Sequence, residues 1–372
     1  MGLEVIAEIS HKYGGDSRFV LAGGGNTSYK NDENLYIKGS GTALATITND
    51  GFVKMSRVKL AEIWSKTYST NKDERESQVL SDMMNAKCQG EENKRPSVET
   101  LLHNLFKQTY VLHVHPTMVN GLTCGVDGEK IVKDLFDNAI WVEETEPGYI
   151  LAAKCRKMIN EYEQRTNKEA NLLFLQNHGI FFAGNSKENI DALVNSVMRK
   201  IESITIKKPD FSGAESDDQA VNTILATLSR EYPDEAGVSV KFTINKEIKR
   251  LCASHDAFAV LERAMSPDHI VYCKSVPLFL ESFDASIIKK QLLEFEEAHK
   301  FLPKIIFVKD IGMFAIGKSE KDVNTVTEVW LDAVKISVYA QNFGGVRHMA
   351  PEMVDFIVNW EVESYRSKVA LK

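Results

Sequence analysis

Changes in the spacing of apolar residues divide the first two hundred positions into strand-like and helix-like stretches. Short apolar runs typical of strands occur at 35–38, 110–114 and 172–175. Apolar residues spaced three and four apart predict helices at 3–11, 58–67, 97–106 and 189–206. The polar stretch 70–78 is expected to be solvated surface, and 182–184 is expected to close a hairpin. The pattern predicts a chain that mixes strands with helices.

The apolar periodicity breaks down at 207–219, where charged residues, proline and glycine take over. A chain of 372 residues also exceeds the usual size of a single domain. We therefore predict two domains, one at 1–208 and the other at 209–372.

The second predicted domain partly repeats the first. The segment 173–190 (LFLQNHGIFFAGNSKENI) aligns without gaps with 306–323 (IFVKDIGMFAIGKSEKDV), and a helical pattern follows each copy. More loosely, 269–274 (HIVYCK) resembles the strand-like run at 110–115. Chance similarity of two strand–turn–helix units is the alternative. We interpret the second domain as a degenerate copy of the first.

Two histidines in the run at 110–116 are the first candidates for chemistry. His113 and His115 are spaced i, i+2 in a predicted strand, so both side chains project to the same face, as a divalent metal requires. His178 follows another strand-like run, and it joins them if that strand ends at the same sheet edge. The alternative is a pair of incidental histidines on a half-buried strand. Because Ile311 replaces His178 in the second copy, that copy is expected to lack the metal.

Two glycine-rich loops lie within twenty residues of each other, at 23–28 (GGGNTS) and 38–42 (KGSGT). Glycine permits close backbone approach, so exposed N–H groups can cradle an anion. Neither loop matches the dinucleotide-binding or P-loop signature. Tight turns are the alternative for each loop alone. Two such loops, each expected to follow a strand, favour phosphate binding.

The segment Arg95 to Thr100 (RPSVET) opens the predicted helix before the histidine strand. Ser97 is expected to be the N-cap, which places Glu99 in the first turn, where the helix dipole favours an anion. Glu99 is then either a capping acid or a proton shuttle that faces the metal. His103 lies on the same helix face and either orients Glu99 or packs in the core. Packing is the favoured interpretation.

Composition excludes several classes of protein. The net charge of −7 gives no support for nucleic-acid binding. No run of 18 apolar residues and no secretion signal occur, so no membrane partner is expected. The five cysteines are odd in number and lack CxxC spacing, which favours free thiols and a cytoplasmic protein.

The motifs together carry a resemblance. In this order, the chain contains GGGNTS, KGSGT, RPSVETLLH, LHVHP and NHGIFFAG. Over roughly 15–205 it resembles the class II aldolase/adducin family, and it is most similar to the aldolase portion of bifunctional rhamnulose-1-phosphate aldolase/lactaldehyde dehydrogenases. Their dehydrogenase domain is expected to be absent, so no nicotinamide activity is implied. The resemblance implies a three-layer α/β/α fold with a largely antiparallel central sheet. On this basis residues 1–208 are expected to form the catalytic domain, and residues 209–372 are expected to be a degenerate copy of it.

The resemblance also implies roles for individual residues. His113, His115 and His178 are expected to hold Zn²⁺, a Lewis acid for a ketose phosphate and the enediolate formed on cleavage. Glu99 is the expected proton shuttle. The expected phosphate-binding positions are Gly25, Asn26, Ser40, Gly41 and Ser97. Imidazole ligands leave Mn²⁺ and Co²⁺ as alternatives to zinc.

The family's members imply a homo-oligomer in which a neighbouring subunit contributes a tyrosine, for which Tyr339 and Tyr365 are candidates. The function implied is a zinc-dependent aldolase that cleaves a deoxyketose 1-phosphate, such as rhamnulose or fuculose 1-phosphate, to dihydroxyacetone phosphate and a hydroxyaldehyde. An epimerase or dehydratase of the same fold is the alternative. Glu99 favours the aldolase, because the similar pentulose-phosphate epimerases carry aspartate there. A non-catalytic adducin-like scaffold is disfavoured by the three histidines, which such domains lack.

Overall fold

The computed structural model describes residues 2–232 and 238–360. The described chain divides into two units: the first contains 2–123, 127–204 and Trp360, and the second contains 124–126 and 205–359. No described helix is long and apolar enough to cross a membrane. All five cysteines are free thiols, as their spacing predicts.

The first unit alternates helices and strands. Its helices are α1 (Gly2–Gly14), α2 (Arg57–Glu62), α3 (Lys72–Asn85), α4 (Thr100–Leu105), α5 (Thr117–Thr123), α6 (Gly128–Leu135), α7 (Tyr149–Thr166) and α8 (Lys187–Ser203). Its strands are β1 (Asn26–Lys30), β2 (Asn34–Lys38), β3 (Phe52–Ser56), β4 (Tyr110–Val114), β5 (Ile140–Val142), β6 (Leu172–Leu175) and β7 (Gly179–Gly184).

These strands form one sheet in the order β3-β2-β1-β4-β7-β6-β5. Every neighbouring pair is antiparallel except β5 and β6, so the predicted largely antiparallel sheet is confirmed. Strand β4 is buried on both faces, which requires a layer of helices on each side. On one face Val111 packs with Leu101 of α4 and Cys155 of α7. Helices α1 and α8 also pack against β4. The α/β fold class is therefore confirmed.

The polar stretch 70–78 is exposed except at Arg75 and Glu76, and it is helical from Lys72 onwards. Helix α3 buries only Arg75, Val79 and Met83, a stripe with a spacing of four. Since two of these three positions lie beyond residue 78, the polar part alone shows no apolar periodicity. Asn71 begins the helix by accepting a hydrogen bond from the backbone of Glu74.

The second unit also contains helices around a sheet. Its helices are α9 (Asp218–Glu231), α10 (Lys246–Leu251), α11 (His255–Phe258), α12 (Pro267–Cys273), α13 (Ala285–His299), α14 (Glu320–Ala340) and α15 (Pro351–Asn359). Its strands are β8 (Ser239–Thr243), β9 (Leu278–Leu280), β10 (Ile305–Val308) and β11 (Gly312–Gly317).

The second sheet has the order β8-β11-β10-β9, and only β9 and β10 are parallel. This is the order and direction of β4-β7-β6-β5 in the first unit. Helices α7 and α13 both end at a left-handed residue, Asn167 and Lys300. The turns that follow β6 and β10 both contain a residue with positive φ, Asn177 and Asp310. These shared features support the proposed duplication, whose boundary at 208 and 209 stays a prediction.

Strand register identifies what the second unit carries at the metal positions. His113 lies opposite Phe181, and Phe242 lies opposite Phe314, which is the repeat equivalent of Phe181. Phe242 therefore occupies the position of His113, and its phenyl ring has no nitrogen atom with which to ligate a metal. Among the described residues, the second unit has no cluster of histidine, cysteine or acidic side chains able to hold an ion.

The comparison of 269–274 with the histidine strand is wrong. Residues up to Cys273 belong to helix α12. The strand of the second unit that corresponds to β4 is β8, which pairs with β11 as β4 pairs with β7. The physical reason is the start of this helix, where Ser266 precedes Pro267 at the first helical position. Proline is favoured there because its missing N–H needs no partner.

The two repeat copies provide a matched test of helix capping. Ser186 accepts a hydrogen bond from the backbone of Asn189 at 3.2 Å, and Ser319 accepts one from Asp322 at 3.1 Å. Replacing either serine by alanine is expected to lower the free energy of unfolding by about 1 kcal/mol, measured by urea denaturation. Ser77→Ala, at an exposed position inside α3, is the control and should not destabilise the protein. Equal stability of all three variants would contradict the capping role.

Candidate metal centre

Three imidazoles converge at one end of the seven-stranded sheet. His113 lies in β4, His115 follows that strand directly, and His178 lies in the turn between β6 and β7. Because β7 pairs with both β4 and β6, the end of β4 and this turn meet at one edge. The ligand nitrogens lie within 4.8 Å of one another. The predicted convergence is confirmed, whereas metal binding stays a prediction.

Hydrogen bonding fixes the tautomer of His113. Its Nδ1 lies 3.0 Å from the carbonyl oxygen of Ile180, and a carbonyl can only accept, so Nδ1–H donates. Nε2 then presents a lone pair at 2.9 Å from Nε2 of His115. The His113 ring is fully buried and stacks on Phe181 at 4.1 Å between centroids. An imidazole whose second nitrogen donates to a carbonyl is oriented and made more basic for metal binding.

Gly179 allows the histidine strand and the β6–β7 turn to come this close. A Cβ atom at this position would lie 2.6 Å from Cδ2 of His115 and 2.7 Å from the carbonyl oxygen of Val114. Any larger residue would therefore push the strand and the turn apart. The glycine after His178 in the sequence is needed for the geometry of the histidine cluster.

Glu99 lies against the histidine cluster and is buried, with 7% of its surface exposed. Its Oε2 lies 3.4 Å from Nε2 of His113, and its Oε1 lies 3.7 Å from Nε2 of His178. Oε2 accepts a hydrogen bond from Nδ2 of Asn26 at 2.5 Å. Oε1 has no hydrogen-bond partner among the described residues. Both carboxylate oxygens thus lie beside the histidines, but Oε2 is held by Asn26, whereas Oε1 has no hydrogen-bond partner among the described residues.

The predicted capping role of Ser97 is wrong. Helix α4 begins after Glu99, whose own side chain makes no capping bond. Ser97 Oγ instead accepts a hydrogen bond from the backbone N–H of Glu99 at 3.3 Å, within the turn before the helix. A capping acid would turn its carboxylate toward the helix backbone. The carboxylate of Glu99 points to the histidines, so the capping interpretation is excluded.

His103 does more than pack. Its ring meets Phe181 edge-on at 5.4 Å, but Nδ1 is also 2.8 Å from Ser28 Oγ, and Nε2 is hydrogen-bonded to Oδ1 of Asn26. The link to Ser28 was not predicted from the sequence. The sequence pattern that could have indicated this link is the alternation of side chains along β1, which places Asn26 and Ser28 on one face.

The two glycine-rich loops lie next to this cluster, though not as expected. Gly25 precedes β1 and does not follow a strand, so the expectation for the first loop is wrong. A Cβ on Gly25 would lie 2.8 Å from the carbonyl oxygen of His113. In the second loop, Ser40 N–H donates to the carbonyl of Arg95, and Ser97 N–H donates to that of Lys38. The segments that contain Gly41 and Ser97 are therefore adjacent.

Burial controls the charge of groups around Glu99. Burial, followed by the Glu99 carboxylate, raises the pKa of the Cys155 thiol to about 12. Burial, followed by His113 and Lys30, lowers the pKa of His103 well below its usual value. Cys155 therefore stays protonated and His103 stays neutral at neutral pH.

The donor set fits a first-row divalent metal. Three neutral imidazoles with an open coordination position are typical of catalytic zinc sites, and imidazole also suits cobalt. The buried oxygen Oε1 of Glu99 beside them has no hydrogen-bond partner among the described residues. Buried polar atoms without a partner are rare in folded proteins, so this oxygen is consistent with a ligand or substrate site. Of the two candidate tyrosines, Tyr339 is half-buried in α14, and Tyr365 lies outside the described residues.

Comparison with known proteins supplies independent information on the chain. Residues 4–197 match the family described as class II aldolase and adducin N-terminal domain. A Bacillus subtilis (strain 168) protein, named uncharacterized oxidoreductase YuxG, is 24% identical over 414 aligned positions that cover 99% of this chain. The chain spans 58% of the length of that relative.

Solved structures also resemble part of this chain. The N-terminal class II aldolase domain of a conserved Thermoplasma acidophilum protein is 23% identical, with a TM-score of 0.45, covering 55% of this chain and 93% of that one. YgbL from Escherichia coli, described as a putative aldolase/epimerase/decarboxylase, is 16% identical, with a TM-score of 0.38, covering 54% and 86%.

Proposed function

Since this chain belongs to the class II aldolase and adducin family, we propose that it is a divalent-metal-dependent aldolase acting on a sugar phosphate. Its fold is that of the class II aldolases. The proposed metal is zinc, and the proposed substrate is a deoxyketose 1-phosphate such as rhamnulose or fuculose 1-phosphate. The proposal includes a cytoplasmic homo-oligomer.

The observation that carries the proposal is the divided environment of the Glu99 carboxylate. Asn26 holds Oε2, while Oε1 has no hydrogen-bond partner among the described residues and lies 3.7 Å from His178 Nε2. A general base needs a fixed position and one oxygen within reach of the proton that it moves. Glu99 meets both conditions beside His113 and His178.

A metal ion held by His113, His115 and His178 would supply Lewis-acid stabilisation of negative charge on the substrate oxygens. Glu99 Oε1 takes the proton from the hydroxyl on the carbon that becomes the aldehyde, and the carbon–carbon bond breaks. Oε1 then delivers that proton to the carbon that loses the aldehyde, which leaves dihydroxyacetone phosphate. In the reverse direction, Oε1 removes the same proton. The hydroxyaldehyde is the second product.

The phosphate is proposed to bind where the two loops meet. The residues assigned to it are Gly25, Asn26, Ser40, Gly41 and Ser97. Support comes from the backbone bonds that join 38–40 to 95–97, and from the contact of Asn26 with Glu99. Backbone N–H groups of glycine-rich turns are suited to phosphate oxygens. In this proposal the anion lies beside the carboxylate that moves the proton.

Hydrogen–deuterium exchange on dihydroxyacetone phosphate tests the proposal without a choice of aldehyde. In D₂O, the protein with Zn²⁺ is expected to exchange one proton at the carbon that forms the new bond, as followed by proton NMR. A chelator should stop the exchange, and added Zn²⁺ should restore it. Absence of exchange in protein that contains stoichiometric metal would count against the aldolase and would favour an epimerase or dehydratase.

A further inference from the structure

A chain of buried polar groups ends at Glu99. Ser28 Oγ is 2.8 Å from His103 Nδ1, His103 Nε2 is bonded to Asn26 Oδ1, and Asn26 Nδ2 is 2.5 Å from Glu99 Oε2. Ser28 and His103 are fully buried, and Asn26 and Glu99 are each 7% exposed. The four side chains come from β1 and from the segment around α4. They form one connected line that ends at the proposed proton shuttle.

The protons in this line can point in only one direction. A carboxylate only accepts hydrogen bonds, so the amide of Asn26 must present its NH₂ group to Glu99 and its Oδ1 to His103. His103 Nε2 therefore carries the proton and donates it to Oδ1. Its Nδ1 then accepts from the hydroxyl of Ser28. The opposite orientation of the amide would set Oδ1 against the carboxylate, where two acceptors repel each other.

This direction requires a neutral His103 with a single N–H. Burial is the largest cause that lowers the pKa of this imidazole, and electrostatic interaction with His113 and Lys30 lowers it further. The ring is also fixed by its contact with Phe181. His103 is therefore both neutral and held in one orientation.

Given the proposed aldolase function, we propose that His103 is a positioning residue that acts on Glu99 through Asn26. By accepting from Ser28 and donating to Asn26, it fixes the rotation of the amide. The amide in turn holds Oε2, so that Oε1 stays beside His178 with no hydrogen-bond partner among the described residues. Loss of the imidazole N–H would leave the buried Oδ1 of Asn26 unsatisfied and release the amide to rotate.

Three variants separate positioning from packing. His103→Phe keeps a ring against Phe181 but removes the N–H, and it is expected to lower the exchange rate per bound metal by about 10–100-fold. His103→Gln places an amide N–H where Nε2 was, and it should recover most of that loss. Leu102→Ala is the matched control, because Leu102 is a buried core residue of α4 that does not belong to the polar line. It should lower stability and leave the exchange rate per bound metal unchanged.

The tautomer of His103 is measured without substrate. In protein with ¹⁵N-labelled histidine, NMR is expected to show the proton on Nε2 and none on Nδ1 at neutral pH, with the signal assigned by its loss in His103→Gln. A proton on Nδ1 would overturn the proposal, as would wild-type rates in His103→Phe or equally slow rates in the two His103 variants. If the wild type exchanges no proton, the aldolase function fails, and the tautomer alone then decides the hydrogen-bond direction. Should His103→Phe not fold, Ser28→Ala takes its place, since it removes the donor to Nδ1 and should also slow exchange.

Discussion

Replacing Glu99 by glutamine is expected to lower proton exchange on dihydroxyacetone phosphate by about 10²–10⁴-fold, the usual contribution of a positioned general base. The substitution is conservative in shape. The side-chain carbonyl of glutamine can still accept from Asn26, so the hydrogen bond at 2.5 Å keeps a partner. What is lost is the basic oxygen, because an amide takes up no proton at neutral pH. Metal content, measured by atomic absorption, should stay that of the wild type.

Two further variants sharpen this test. Glu161→Gln, on the exposed surface of α7, removes a carboxylate away from the cluster and should leave the exchange rate unchanged. Glu99→Asp keeps a base but withdraws it by one methylene, so exchange should be slower than in the wild type and faster than in Glu99→Gln. Full activity in Glu99→Gln would remove Glu99 from the proton transfer and leave the family relationship intact.

The histidine cluster could be predicted because it depends on local periodicity and on sheet pairing. Alternation along β4 places His113 and His115 on one face, and an apolar run before His178 predicts a strand that ends nearby. The central sheet brings these segments together through β7. Strand pairing of this kind leaves a strong sequence pattern, since both strands are buried on both faces.

The surroundings of Glu99 could not be predicted, because they depend on contacts between distant segments. Helix α4 begins at Thr100 and not after Ser97, since the turn at 97–99 is bonded within itself and to Lys38. The link between Asn26 and Glu99 joins residues 73 positions apart. The sequence does not distinguish an acidic residue that caps a helix from one at the same position whose side chain points into a site.

In the second unit, too, only part of the strand pairing could be predicted from the sequence. Its sheet order could be expected from the repeat, because 306–323 preserves the apolar pattern of β6, β7 and their turn. The strand that pairs with β11 could not be predicted, because the sequence of β8 has little similarity to that of β4. The segment 269–274 resembles β4 more closely, although it is helical up to Cys273. Pairing in the sheet is what places Phe242 where His113 stands. The two units share the order of their strands, whereas the three histidines occur in the first unit alone among the described residues.

Substituting one histidine of the cluster is expected to abolish stoichiometric metal binding. In His178→Ala, two imidazoles remain, and the affinity for Zn²⁺ should fall by more than the roughly 10–100-fold that loss of an outer partner costs. His178 is chosen because it lies in a turn and is partly exposed, whereas His113 is fully buried and its removal would also leave a cavity. Metal per chain after dialysis, and competition with a chromophoric chelator, measure the change.

Thermal unfolding provides a second test of metal binding at this site, and this test does not depend on enzyme activity. A ligand present at about one hundred times its dissociation constant stabilises the folded state by about 2.7 kcal/mol, so Zn²⁺ should raise the Tm of the wild type. His178→Ala should show little of this increase. His255→Ala is the matched control, because His255 is an exposed histidine of the second unit, outside the cluster, and the variant should gain as much as the wild type. An equal gain in His178→Ala would place the metal elsewhere, and the interpretation of the three imidazoles as ligands would then be wrong.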